Sequence, residues 1–270
     1  MKQLRIAIVG CGNMGLAFAK SFLHYNLVEP QDLLLIGRHA AHCHLLRQAH
    51  PALSTGLLDA QVSTCDVVLI AIKPQDFGAM AGELAAILRP EQVVLSIMAG
   101  IPIARLQREL GHAQVLRAMP NTPALLGMGI TGFSAAPEVE RLRLHQIENL
   151  LNATGRSIFL EDESLLDAVT ALSGSGPAYF YFLVKGMIEA GRQMGFSESV
   201  AALLVKQTML GSYHLLNNSE KNLDELIANV ASKGGTTEAA LRRFAQGNLT
   251  ETLIAGIQAA RQRATELAAE

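Results

Sequence analysis

The sequence predicts an α/β chain with a parallel-sheet domain at the N-terminus and an all-helical domain after it. Three observations predict this. The apolar, β-branched run Ile6-Ala7-Ile8-Val9 stops in the glycine turn Gly10-Cys11-Gly12-Asn13-Met14-Gly15, as a strand buried on both faces does before a helix. Comparable runs alternate with helical stretches up to residue 160, and from 161 onward only helical patterns remain. The chain's 270 residues suffice for two modest domains, so 1–160 is expected to be a Rossmann-type dinucleotide-binding domain and 161–270 a helical one.

The first turn is expected to hold a dinucleotide. Gly10 takes the tight backbone angles, Gly12 has no side chain to keep a pyrophosphate away, and Gly15 lets the helix over 13–24 lie close to the strand. Asn13, Met14 and Gly15 open that helix, whose unpaired N–H groups favour an anion without a lysine. Cys11 is a turn residue among them. The second strand, 33–36, ends Ile36-Gly37-Arg38-His39. An NAD site usually ends this strand with a carboxylate for the ribose hydroxyls. Here Arg38 suits a 2'-phosphate instead, so NADP(H) is expected ahead of NAD(H). His39, His42, Cys43 and His44 lack a completing ligand, so no metal is expected and a surface helix begins there.

A strand over 67–72 runs into Lys73-Pro74, and its C-terminal end should border the cofactor through Ala71, Lys73 and Pro74. A helix over 78–88, a strand over 93–97, a helix over 103–110 and a strand over 114–118 continue the alternation. The loop Met119-Pro120-Asn121-Thr122-Pro123 is fixed by its prolines and suits a pocket wall to which Asn121 and Thr122 offer hydrogen bonds. A helix over 138–153 and a strand over 157–160 close the sheet. Helices follow over 165–172, 177–194, 198–216, 223–230, 238–245 and 251–268. Asn222 and Glu225 have capping-box spacing, and Thr250 is placed to cap the last helix. These helices are apolar on more than one face, so the helical domain should pair with a second copy.

Whole-chain properties narrow the partners. Net charge is −2 and the basic residues are scattered, which speaks against nucleic acid or an anionic membrane and for a small-molecule substrate. Cys11, Cys43 and Cys65 have neither disulfide nor zinc spacing, and no apolar run is long enough to span a bilayer, so a cytoplasmic protein is expected.

Two loops of the helical half, Ala171-Leu172-Ser173-Gly174-Ser175-Gly176-Pro177-Ala178-Tyr179 and Ser232-Lys233-Gly234-Gly235-Thr236-Thr237-Glu238-Ala239, are rich in glycine and hydroxyls, and each opens a helix. With 119–123, with Ala71-Ile72-Lys73-Pro74-Gln75 and with the first turn, they resemble the pyrroline-5-carboxylate reductase family over nearly the whole chain. The resemblance implies reduction of the cyclic imine 1-pyrroline-5-carboxylate to L-proline with NADPH or NADH. It also implies a homodimer, or a higher oligomer of dimers, in which the partner's helical domain completes the site. The family's substrate loop falls on Ser232 to Thr237. The substrate carboxylate is then expected at the N–H groups of Gly234, Gly235 and Thr236 beside the Ser232 hydroxyl, with Thr237 facing the imine nitrogen. An iminium is already electrophilic, so no strong acid is required. Lys233 stands where the family usually has proline, which removes a conformational lock and adds a charge, expected to point outward.

Two other readings compete. A β-hydroxyacid dehydrogenase would place a lysine about a turn after the second glycine motif, where this chain has Ala178-Tyr179-Phe180-Tyr181-Phe182, and Lys185 comes too late. A non-catalytic NADP(H)-binding regulator would keep the first turn but have no use for a carboxylate-binding loop.

Overall fold

A computed structural model describes residues 4–269. Strands β1 (Ile6–Val9), β2 (Leu33–Ile36), β3 (Ser54–Gly56), β4 (Val67–Ile70), β5 (Val93–Ser96), β6 (Val115–Met119), β7 (Gly129–Ala135) and β8 (Gly155–Phe159) form one sheet in the order β3-β2-β1-β4-β5-β6-β7-β8. Every pairing is parallel except β6 with β7. Helices α1 (Asn13–His24), α2 (Ala40–Ala49), α3 (Pro74–Ala85), α4 (Ile103–Leu110) and α5 (Arg141–Asn152) connect the strands. Burial on both faces explains the unbroken apolar runs: Ile6 and Ile8 share one core with Phe18 and Phe22 of α1, while Ala7 and Val9 share the other with Phe77 and Leu84 of α3. Because β1 lies between β2 and β4, the chain departs from it in opposite directions, and a crevice opens beyond its carboxyl end.

Several expectations are corrected. Strands β3 and β7 were not foreseen; Ser54–Gly56 is short and polar, and Gly129–Ala135 carries two glycines, so neither shows the apolar run of a buried strand. Helix α3 begins at Pro74 rather than 78, because proline fits the first helical position and Asp76 suits the first turn. After α6 (Leu165–Val169) the expected helix over 165–172 becomes a π-helical turn, Thr170–Gly174.

The remaining helices are α7 (Gly176–Gln193), α8 (Glu198–Asn218), α9 (Leu223–Val230), α10 (Thr236–Gln246) and α11 (Leu249–Ala269). The capping box forms at α9, where Glu225 N–H donates to the Asn222 side chain and Asn222 N–H to the Glu225 carboxylate, both at 2.9 Å. Thr250 lies inside the first turn of α11 and does not cap it.

By packing, the chain forms two compact units, Met1–Ser175 with Ala260–Glu270, and Gly176–Ala259. The first continues past residue 160 because Leu166 and Ala171 are buried in it. The second has almost no core of its own. Its only buried hydrophobic side chain is Ala201, whereas Phe182, Leu203 and Leu215 are each about two-thirds exposed or more. A domain that leaves this much apolar surface in water requires a partner surface.

Most buried polar groups in the first unit are paired, the exceptions among the described residues being Gln114 Oε1 and Thr131 Oγ1. Gln92 is 1% exposed; its Nε2 donates to the carbonyls of Val62 and Cys65 at 2.8 and 2.7 Å, and its Oε1 accepts from Arg89 N–H at 2.7 Å. Gln92→Leu strands the Cys65 carbonyl and Arg89 N–H, while the Val62 carbonyl keeps its bond from Cys65 N–H, and is expected to cost about 2 kcal/mol, readable as a lowered urea midpoint at unchanged slope.

Candidate active site

The glycine turn brings backbone segments into close contact. Gly10 holds φ +102, and a Cβ there would meet the Ala71 carbonyl at 2.7 Å. At Gly15 a Cβ would lie 2.1 Å from the Gly10 oxygen, so only glycine lets α1 approach β1 this closely. Gly12 faces open space. The first bond of α1 runs from Leu16 N–H to the Gly12 carbonyl at 3.0 Å, and the N–H groups of Asn13, Met14 and Gly15 make no hydrogen bond among the described residues. Three such donors at a helix N-terminus fit a pyrophosphate.

A cavity of about 420 Å³ continues from this turn, lined among others by Gly12, Arg38, His39, Ala71, Lys73 and Asp76. Pro74 lies at the start of α3 beside Lys73. One expectation is corrected here. Although β2 ends without a carboxylate, the fold brings one to Arg38 from elsewhere: Asp76 sits 3.4 Å from its guanidinium. His39 caps α2, its Nδ1 accepting from His42 N–H at 3.2 Å. Among the described residues no group of three or more His, Cys, Asp and Glu is placed to hold a metal ion.

Cys11 is buried, its Sγ 3.5 Å from the Ile36 carbonyl. Burial pushes its thiol up to about 12, with Cys43 adding to the rise, and pushes Cys65 up to about 11. Iodoacetamide at pH 8 is expected to modify both at least about a hundredfold more slowly in the native protein than in urea. Because the unfolded thiols lose their protons first, at about 8.5, their contribution to stability is intact below that pH. It is lost as pH rises through about 11 and 12.

In the second unit the loop 232–237 leads into α10. Gly234 takes φ +74 and its N–H donates to the Glu238 carboxylate at 2.7 Å, while Gly235 N–H donates to the Ser232 carbonyl at 2.9 Å. The donors expected at Gly234 and Gly235 are therefore engaged by the loop itself. Helix α10 begins at Thr236, earlier than expected, so the N–H groups of Thr236, Thr237 and Glu238 occupy its first turn without a partner among the described residues. The Ser232 hydroxyl lies over Gly235, where a Cβ would approach it to 2.6 Å. Lys233 is exposed, and Thr237 is partly buried.

The proline-rich loop also differs from expectation. Asn121 is 9% exposed; its Nδ2 donates to the Ser173 hydroxyl at 3.2 Å and its Oδ1 accepts from Ile130 N–H at 3.0 Å. Its amide is spent on joining two of the resembling loops, so it is not free for a ligand. Thr122 remains exposed. Sequence reasoning missed the role of Asp76 because it reaches Arg38 across a strand crossover, and that of Glu238 because nothing in the loop's sequence shows that its carboxylate turns back onto Gly234 N–H.

Comparison with known proteins extends these observations. Residues 163–267 match the family model described as pyrroline-5-carboxylate reductase dimerisation, and residues 5–100 match one described as NADP oxidoreductase, coenzyme F420-dependent. The chain is 45% identical to the pyrroline-5-carboxylate reductase of Pseudomonas aeruginosa, covering 99% of this chain and 98% of that one. It is 36% identical to the Mycobacterium tuberculosis protein of the same name, covering 97% and 96%. Among solved structures it is similar to a pyrroline-5-carboxylate reductase from Coxiella burnetii, with TM-score 0.88, 31% identity and coverage of 98% and 99%. A Plasmodium falciparum pyrroline carboxylate reductase with NADP bound matches with TM-score 0.88 and 25% identity over 99% of each chain. Glycine turn, nearly coreless helical unit and full-length likeness agree, and this chain belongs to the pyrroline-5-carboxylate reductase family.

Proposed function

We propose that the chain reduces 1-pyrroline-5-carboxylate to L-proline with the loop Ser232 to Thr237 as its substrate seat. The enzyme is an NAD(P)H-dependent oxidoreductase of proline biosynthesis. The observation that carries the substrate assignment is the pinned loop: Glu238 holds Gly234 by its N–H, and the amides of Thr236 and Thr237 are left as donors at a helix start. A carboxylate is stabilised there by the N–H groups and by the helix dipole, with the Ser232 hydroxyl alongside. Gly234 and Gly235 shape this seat more than they donate to it.

The Thr237 hydroxyl accepts a hydrogen bond from the N–H of the protonated imine and so fixes which face is presented. The cofactor supplies a hydride to the imine carbon, whose C=N π pair becomes the amine lone pair. No proton is needed at that moment, because the iminium already carries it. The chain's contribution is orientation and exclusion of water. Toward the dinucleotide, Gly10, Cys11 and Gly12 form the turn, and Asn13, Met14 and Gly15 bind phosphate through N–H groups. Ala71, Lys73 and Pro74 flank the cavity, and Arg38 meets a 2'-phosphate, which favours NADP(H) over NAD(H).

The functional division falls at residue 160, with 1–160 binding dinucleotide and 161–270 binding substrate and dimerising. The exposed apolar surface of the second unit supports a homodimer, and dimers assembling further remain compatible with it. No helix among the described residues is long and apolar enough to cross a membrane, which supports a cytoplasmic enzyme. The test is loss of NADPH absorbance with 1-pyrroline-5-carboxylate, repeated with NADH and with a β-hydroxyacid in the reverse direction. Rapid oxidation with the imine alone is the expected result. Binding of NADPH without consumption in any mixture overturns the assignment of 232–237.

A further inference from the structure

We infer that Asp76 is a specificity residue that tempers the preference of Arg38 for NADPH and keeps the enzyme able to use NADH. The inference rests on the reading of the turn after β1 as a dinucleotide site. The carboxylate lies in the first turn of α3 and approaches the guanidinium with both oxygens, Oδ1 at 3.4 Å from Nη2 and Oδ2 at 3.5 Å from Nη1. Both residues line the cavity that runs on from Gly10 and Gly12. Arg38 is 72% exposed and Asp76 30%, so the pair is solvated and weakly held, and a ligand can compete for either member.

The two partners favour different nucleotides. A 2'-phosphate must share the guanidinium with a carboxylate and tolerate that carboxylate's negative charge. Ribose hydroxyls, by contrast, need acceptors, which NAD sites usually take from an acid at the end of the second strand. Here β2 offers none, and Asp76, 38 residues further along the chain, supplies the missing acceptor from across the crevice. Asp76 also sits where an acid stabilises a helix start. That role alone would alter stability and leave the choice between nucleotides untouched.

The experiment is titration of full-length wild type, Asp76→Asn, Asp76→Glu and Arg38→Gln with NADPH and NADH, following nicotinamide fluorescence to obtain Kd without turnover. In Asp76→Asn the ratio of NADH Kd to NADPH Kd is expected to rise about tenfold, from tighter NADPH and weaker NADH. Asp76→Glu should restore most of the wild-type ratio. Arg38→Gln should lower the ratio by a similar factor. A ratio within about twofold of wild type in Asp76→Asn, with both nucleotides still binding, overturns the inference and leaves the dinucleotide site standing. If wild type binds neither nucleotide, the site and the inference fall together.

Discussion

Replacing Thr237 by alanine is expected to lower kcat by about a hundredfold while the Kd for NADPH changes by less than about twofold. In the proposed seat 232–237 the hydroxyl is the one group assigned to the reacting nitrogen, and removing it should leave the iminium free to rotate away from the attack geometry. The backbone should survive. Thr237 N–H lies in the first turn of α10 whether or not the side chain carries oxygen, and the loop is held elsewhere, by Gly234 N–H on Glu238 and Gly235 N–H on the Ser232 carbonyl. Thr237→Ser should recover most of the rate, because it keeps the hydroxyl and loses only the methyl. Equal losses of turnover and NADPH affinity in Thr237→Ala would instead mean that the substitution had disturbed the fold, and the role given to the hydroxyl would fail.

The second large effect is expected at Asp167. Arg117 on β6 is 4% exposed, and its charge is met by Asp167 Oδ1 at 2.9 Å and Glu163 Oε1 at 3.3 Å. The other Asp167 oxygen accepts from Thr265 Oγ1 of α11 at 3.1 Å, so one carboxylate ties the sheet, α6 and the C-terminal turns of the chain together within the first unit. Asp167→Ala removes the shorter of the two ion pairs and leaves a buried guanidinium with only Glu163, which also serves Ile103 N–H at 2.8 Å. A loss of about 3–5 kcal/mol is expected by urea unfolding. Replacing Arg117 and Asp167 together with Met and Leu should cost much less, because no uncompensated charge remains. A single-variant loss below about 1 kcal/mol would show that the cluster contributes no more than a surface pair.

These effects divide along the same line as the legibility of the sequence. Strands β1, β2, β4 and β5 were readable because a strand covered on both faces is apolar at every position, and the glycines of the first turn because each answers a separate steric demand. The amphipathic helices and the Asn222 capping box are likewise local. Strand β7 was not readable: its glycines and hydroxyls resemble a loop, and only pairing with β6 makes it a strand. The loop 232–237 stood out by resemblance, but which of its amides are available depends on the Glu238 carboxylate one helical turn away.

By itself the sequence determined the α/β order, the glycine turn between β1 and α1, the helical second half and its need for a partner, since each follows from hydrophobic period or from backbone freedom at single residues. Tertiary structure alone decided the antiparallel insertion of β7, the spending of Asn121 on Ser173, and the meeting of Asp76 with Arg38. Those depend on distances between residues far apart in the chain, and no local pattern encodes such distances because they are fixed only when the sheet closes and its helices pack.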